Sequence, residues 1–189
     1  MSTAISRLLD RLTELARTIS RVIAWLLGAM LLATILLIAV EVVTRKLFGH
    51  SFRFVHEYSG YLLAIFSAWG LAHTLLERAH IRIDILYNTA SLTLQRCMDL
   101  LSIVSMAVIA LLIAFYGYPL LERSITNGSL SNTTMSTPMW IPHLIWLSGY
   151  VWFSLVTLLL VLRGLRSFLP AYRDKKDPLL TAEFHAEQL

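Results

Sequence analysis

Four stretches of the chain contain no Lys, Arg, Asp or Glu: residues 22–40, 58–76, 100–121 and 139–162. Each is 19 to 24 residues long. A helix rises about 1.5 Å per residue, so about 20 apolar residues cross a hydrocarbon core of roughly 30 Å. Backbone amides and carbonyls find no water in that core, which makes spans of this length helical. The pattern predicts an all-α membrane protein with four transmembrane helices, over about 22–43, 57–76, 98–121 and 138–163.

A different period precedes the first span. Ile5, Leu8, Leu9, Leu12, Leu15, Ala16 and Ile19 recur at i, i+3, i+4, i+7 spacing, with Arg7, Asp10, Arg11, Glu14 and Arg17 on the other side. This is the signature of an amphipathic helix. Residues 1–21 are expected to form one in the membrane interface, its basic groups facing anionic lipid headgroups. Packing on a partner subunit is the alternative. The four-span membrane domain then covers 22–163, and the charged residues 164–189 read as a cytoplasmic tail.

The net charge of +4 and pI near 9.5 suggest nucleic acid only if the spans are ignored. Twelve of the sixteen Lys and Arg fall before span one, between spans two and three, or after span four. By the positive-inside rule both termini are cytoplasmic and the connections 41–57 and 122–138 face outward. No nucleic-acid partner is expected. The single cysteine, Cys97, excludes an intrachain disulfide. The first apolar run ends in Glu41-Val-Val-Thr-Arg45-Lys46 with no small-residue cleavage site, so it is expected to be a retained span.

Little in the sequence carries chemistry. Glu41 and Arg45 stand four apart at the end of span one and read as an interfacial ion pair. Gly60, Ala64, Ala68 and Ala72 repeat a small residue every fourth position along span two, a pattern that lets helix backbones approach closely. These four are the candidates for packing on another subunit. His80 and Asp84 fall short of a metal-ligand set, so no metal is expected. Pro119 sits near the end of span three, and Thr137-Pro138 reads as the N-cap and first turn of span four, followed by Trp140, His143 and Trp146. Phosphate loops, dinucleotide fingerprints, zinc-protease motifs and nucleophile elbows are all missing from the sequence, so no enzyme and no cofactor are expected.

Around span two the pattern becomes specific. Phe54-Val-His56-Glu57-Tyr-Ser-Gly60-Tyr, then Trp69-Gly-Leu-Ala72, then Ala79-His80-Ile-Arg82-Ile-Asp84, resembles the small membrane subunit of tripartite ATP-independent periplasmic (TRAP) transporters, the DctQ-like family. The resemblance covers roughly residues 20–165, including the Pro138–Trp140 opening of the last span. Glu57 matches the acidic residue that opens the family's second span, although the family often has two acids where this chain has His56-Glu57. His80, Arg82 and Asp84 match the arm that follows, with Ile83 in place of the usual Val.

The resemblance implies a non-catalytic scaffold in the bacterial inner membrane. Its partners would be a large membrane subunit, which holds the Na⁺ and substrate sites and moves as an elevator, and a periplasmic binding protein that delivers a carboxylate-type solute. Two other readings are open. A haem b anchor of a respiratory enzyme would use His73 and His143 as axial ligands, but these lie at opposite ends of their spans. A stand-alone small transporter would use Glu41 as its membrane carboxylate.

Overall fold

A computed structural model describes residues 2–77, 91–133 and 135–166. Four helices make up nearly all of it: α1 Ser2–Phe48, α2 Arg53–Leu76, α3 Leu92–Thr126 and α4 Trp140–Arg166. All four are long and apolar enough to cross a membrane. The His80–Asp84 arm and most of the tail predicted over 164–189 lie outside the described residues; 164–166 form the last turn of α4.

The separate interfacial helix expected over residues 1–21 is not present as an element of its own. Its residues are the first turns of α1, which runs without interruption for 47 residues. The physical reason is in the local sequence: no Gly or Pro occurs before Gly28, so nothing breaks the i to i−4 hydrogen-bond ladder at the expected boundary. The apolar stripe is also divided. Leu9 and Ala16 are buried together with Thr13, Ser20 and Leu27, whereas Leu8, Leu12, Leu15 and Ile19 are exposed. α1 closes at Gly49, whose φ of +69° lies in the left-handed region that suits a helix C-terminus.

α3 continues through Pro119 to Thr126. Proline removes one amide donor, and the turns on either side hold the helix together. It ends in a Schellman-type cap: the Ser129 amide donates to the Ser124 carbonyl at 3.1 Å, the Gly128 amide to the Ile125 carbonyl at 3.3 Å, and Gly128 takes a φ of +57°. α4 starts at Trp140, two residues later than the Thr137-Pro138 reading placed it. Pro138 instead forms an antiparallel bridge with Leu130, although its carbonyl accepts from the Ile141 amide at 3.2 Å.

The helices form an open slab. α4 packs most extensively on α3 and also on α2; α1 packs on α2 and touches α4 more lightly; α2 and α3 share no comparable contact. The order across the slab is therefore α1, α2, α4, α3. α2 and α4 run parallel, since Tyr61 meets Met139 and Trp69 meets Ile145 further along. They come close together at Ala68 and Gly149: a Cβ on Gly149 would stand 2.7 Å from Cδ1 of Trp69 and 2.9 Å from Cβ of Ala68. The Trp69 indole N–H donates to the Ile145 carbonyl at 2.9 Å across the same contact.

The main apolar core lies toward the Glu77 end of the slab, where Ala16, Ala72, Leu76, Ile103, Ala110, Phe153, Val156 and Leu160 cluster. Gly149→Ala is expected to destabilise the isolated chain by about 1–3 kcal/mol through overpacking against Ala68, read as a lower melting temperature in detergent. Gly60→Ala, where an added Cβ meets nothing within 4 Å, leaves it unchanged.

Candidate subunit interface

At the N-terminal end of α2 the chain buries a carboxylate. Glu57 is only 8% exposed. A buried charge is tolerated when its lone pairs are bonded, and both carboxylate oxygens are. Tyr61, one turn along α2, donates its hydroxyl to Oε1 at 2.9 Å. Thr133, from the connection between α3 and α4, donates its hydroxyl to Oε2. The Thr133 hydroxyl also lies 2.9 Å from that of Ser131, and the Thr133 amide donates to Ser131 Oγ at 3.3 Å. Tyr58 Oη stands 3.5 Å from Thr137 Oγ1, and the Tyr58 and Tyr61 rings meet edge to face at 6.1 Å.

That connection is itself a small hairpin. The Ser131 amide donates to the Thr137 carbonyl and the Met139 amide to the Ser129 carbonyl, each at 2.9 Å. Below it the Ser124 hydroxyl lies 2.7 Å from Nδ1 of His143, joining α3 to α4. Thr137, expected to cap α4, faces Tyr58 instead.

Glu41 lies near the end of α1. Arg45 Nη1 is 3.7 Å from its Oε1, and Ser51 donates its hydroxyl to the same oxygen at 2.8 Å. The Arg45 side chain is 59% exposed, so the ion pair adds little stability and the Ser51 bond fixes the carboxylate better. Glu41 is thus held by groups of its own helix end and the following turn.

The small-residue strip on α2 divides in two. Ala68 and Ala72 are fully buried within the chain, Ala68 against Gly149 and Ala72 in the apolar core. Gly60 and Ala64 are exposed, and Ser67 continues their face, its hydroxyl turned back to the Leu63 carbonyl at 2.8 Å. The exposed side of α2 over residues 60–67 thus carries Gly60, Ala64 and Ser67 around one bulky side chain, Leu63. α1 exposes bulky ones, among them Trp25, Leu26, Met30, Leu32, Ile35 and Leu36.

At the Glu77 end a polar girdle fastens the first turns of α1 to α2 and α4. Arg21 Nη2 and Arg17 Nε lie 3.5 and 3.8 Å from Oε1 of Glu77. Arg163 of α4 reaches Oδ1 of Asp10 at 3.1 Å and donates to Thr13 Oγ1 at 3.1 Å. The Trp152 indole donates to Ser20 Oγ at 3.1 Å. By sequence Arg163 is one of the cytoplasmic charges, and Thr13, Ser20 and Trp152 belong to no motif. The available signal was Thr13 and Ser20 falling seven residues apart in an otherwise apolar stripe with Leu9 and Ala16.

His73 and His143 sit near opposite ends of the parallel helices α2 and α4, so they do not converge on one ligand. Among the described residues no group of three His, Cys, Asp or Glu could hold a metal ion. The girdle gives a direct test. In Arg163→Met, Asp10 and Thr13 lose their donor and the first turns of α1 open more often. Trypsin cleavage at Arg7 and Arg11 is expected to accelerate roughly tenfold, with the four-helix melting little changed.

A model of the family described as tripartite ATP-independent periplasmic transporters, DctQ component, matches residues 34–167. No curated protein and no solved structure matches the chain. The matched region takes in the later part of α1, the 127–139 connection and the whole of α2, α3 and α4. With four apolar helices able to span and a family match over most of its length, the chain belongs to the DctQ family, the small membrane component of TRAP transporters, and is a multi-pass inner-membrane protein.

Proposed function

We propose that this chain is the non-catalytic small permease subunit of a Na⁺-coupled TRAP transporter. It forms a stationary scaffold for the large elevator-type subunit. The transported solute is of carboxylate type and arrives on a periplasmic binding protein. The observation that carries this reading is the open slab with an exposed face on α2 on which Gly60, Ala64 and Ser67 surround the single bulky Leu63, unlike the continuous bulky surface of α1. In lipid, helices associate through close packing, so such a face suits a helix of the large subunit and the bulky one suits acyl chains. The described spans also lack the interrupted helices that mark transport sites, and Glu57 is engaged by its own chain's hydroxyls. Both termini lie in the cytoplasm, a placement that the charge bias supports. His80, Arg82 and Asp84 contribute to packing beyond α2.

The reading is tested by co-expression of the tagged chain with the large subunit. Wild-type chain is expected to retain the large subunit through detergent purification, and Gly60→Leu/Ala64→Leu to lose at least nine-tenths of it while melting like wild type. Solute uptake by proteoliposomes holding this chain alone would overturn the scaffold reading. Orientation is checked separately in a Cys97→Ser background. Asn132→Cys is expected to react with an impermeant maleimide in intact spheroplasts, and Arg11→Cys only after permeabilisation.

A further inference from the structure

We propose that the outer end of α1 is a binding site for an anionic phospholipid: Arg45 and Lys46 hold the phosphate, and the α1 surface beneath them seats an acyl chain. Its place in the outer leaflet rests on the orientation proposed above; the lipid contact itself does not.

The cations stand against the charge bias of the chain. Twelve Lys and Arg fall in the segments read as cytoplasmic. Of the other four, three lie within residues 45–53, and the fourth, Arg123, follows Glu122. A cation placed outward works against the positive-inside preference, so a cluster there calls for a purpose. Arg45 and Lys46 occupy the last turn of α1. Cations in a last turn complement the helix dipole. That role asks nothing of the helix surface beneath them, and here the surface is matched to a lipid.

Leu36, Val40, Val43 and Leu47 recur at i, i+4, i+7 and i+11, and each is more than half exposed. They form one apolar strip along α1. At about 1.5 Å per residue the strip is roughly 16 Å long, close to half of the roughly 30 Å hydrocarbon core. Half the core is the depth of one leaflet, so the strip fits a single acyl chain. Lys46 follows Val42 and Val43 by one helical turn, and both valines are exposed, so its stem leaves α1 on the lipid side. A long cationic side chain in that position lays its methylenes on apolar surface and carries its head to the phosphate level. Phe48 and Phe52, also exposed, extend the apolar surface at the same end.

The electrostatics suit an anion. Glu41 is the carboxylate nearest in sequence, and it is already engaged by Ser51 at 2.8 Å and Arg45 at 3.7 Å. The Glu41 side chain is 12% exposed and that of Arg45 59%, so the carboxylate is turned inward and the guanidinium outward. A guanidinium carries five N–H donors, most of which that one contact leaves available. Lys46 is exposed, and no carboxylate among the described residues pairs with it. The carbonyls of a helix end repel anions, but two of these are covered: the Gly49 amide donates to the Arg45 carbonyl at 3.1 Å, and His50 Nδ1 lies 2.9 Å from the Phe48 carbonyl. A phosphodiester brings one negative charge and only acceptor oxygens, the complement of two cationic donors. An acidic protein surface would match the charges but has no use for an apolar strip of one-leaflet length; a phospholipid matches both.

Photocrosslinking tests the site. The full-length chain, together with the large subunit, is reconstituted in nanodiscs of phosphatidylcholine. A trace of phosphatidylglycerol or phosphatidylcholine with a photoactivatable acyl chain is included, and the crosslinked residues are mapped by mass spectrometry. Phosphatidylglycerol is expected to label residues 36–48 about tenfold more than phosphatidylcholine does. Lys46→Gln should reduce that excess severalfold, and Arg45→Gln/Lys46→Gln should abolish it. Lys46→Arg should retain it, which separates loss of charge from loss of fold. Equal labelling by the two lipids in the wild type, or an undiminished excess in the double variant, overturns the site. Absence of labelling by either lipid overturns it too, because the large subunit then covers this surface. If the excess is found but Asn132→Cys reacts with maleimide only after permeabilisation, the outer-leaflet placement and the orientation fall together and the lipid contact stands.

Discussion

The close approach of α2 and α4 at Ala68 and Gly149 is the contact on which the arrangement of the other elements rests. In water, two apolar helices would be driven together by burial; in lipid they are not, because acyl chains solvate Leu and Ile as well as a neighbouring helix does. What remains is the dispersion gained when backbones come near, and this requires side chains that end at Cβ or earlier. Gly149 has no room even for that one atom, with Trp69 and Ala68 under 3 Å from where it would stand. Because α2 and α4 are parallel and not consecutive, α1 and α3 are left to the two flanks, and an open slab results.

The two ends of the slab are held by different physics. Near Glu77 an apolar cluster is closed off by Arg17, Arg21 and Arg163, each drawing the first turns of α1 toward α2 or α4. Near Glu57 the links are mostly hydroxyls: Tyr61 and Thr133 on the carboxylate, Ser124 on His143. Long guanidinium side chains can span helices that are far apart and tolerate adjustment, whereas short hydroxyls bond only when backbone and loop are already in place. The slab is thus pinned at one end by reach and at the other by fit, and it keeps two broad faces open. Only 6% of the most apolar window of α1 is buried within the chain, against 39% of that of α4, so most of the first span is available to lipid or to a second protein.

Several features were legible in the residues because they are local. The four spans follow from charge-free runs of the right length, and the close-packing capacity of α2 from its four-residue repeat. Other features were misread for equally physical reasons. The amphipathic period over 5–19 suggested a helix lying flat, yet periodicity reports a face, not a hinge, and no residue there ends a helix. Leu8, Leu12, Leu15 and Ile19 are exposed because Thr13 and Ser20, the polar members of the neighbouring stripe, are the ones that Arg163 and Trp152 engage. Glu57 could be singled out by its motif, but its partner Thr133 stands 76 residues away in a connection with no charge to announce it.

What the sequence determined by itself is the solvent: four charge-free runs of span length commit the chain to helices in a bilayer, because unsatisfied backbone groups have no other place there. It also determined which helix surfaces could come close, through where the side chains are small. The tertiary structure decided how that capacity is divided: Ala68 and Ala72 are consumed within the chain, and Gly60 and Ala64 are left open. It decided too that the Glu57 carboxylate meets the 129–139 hairpin through Thr133. Both outcomes depend on which helices become neighbours, and that follows from contacts between residues 76 and more positions apart, which no local pattern encodes.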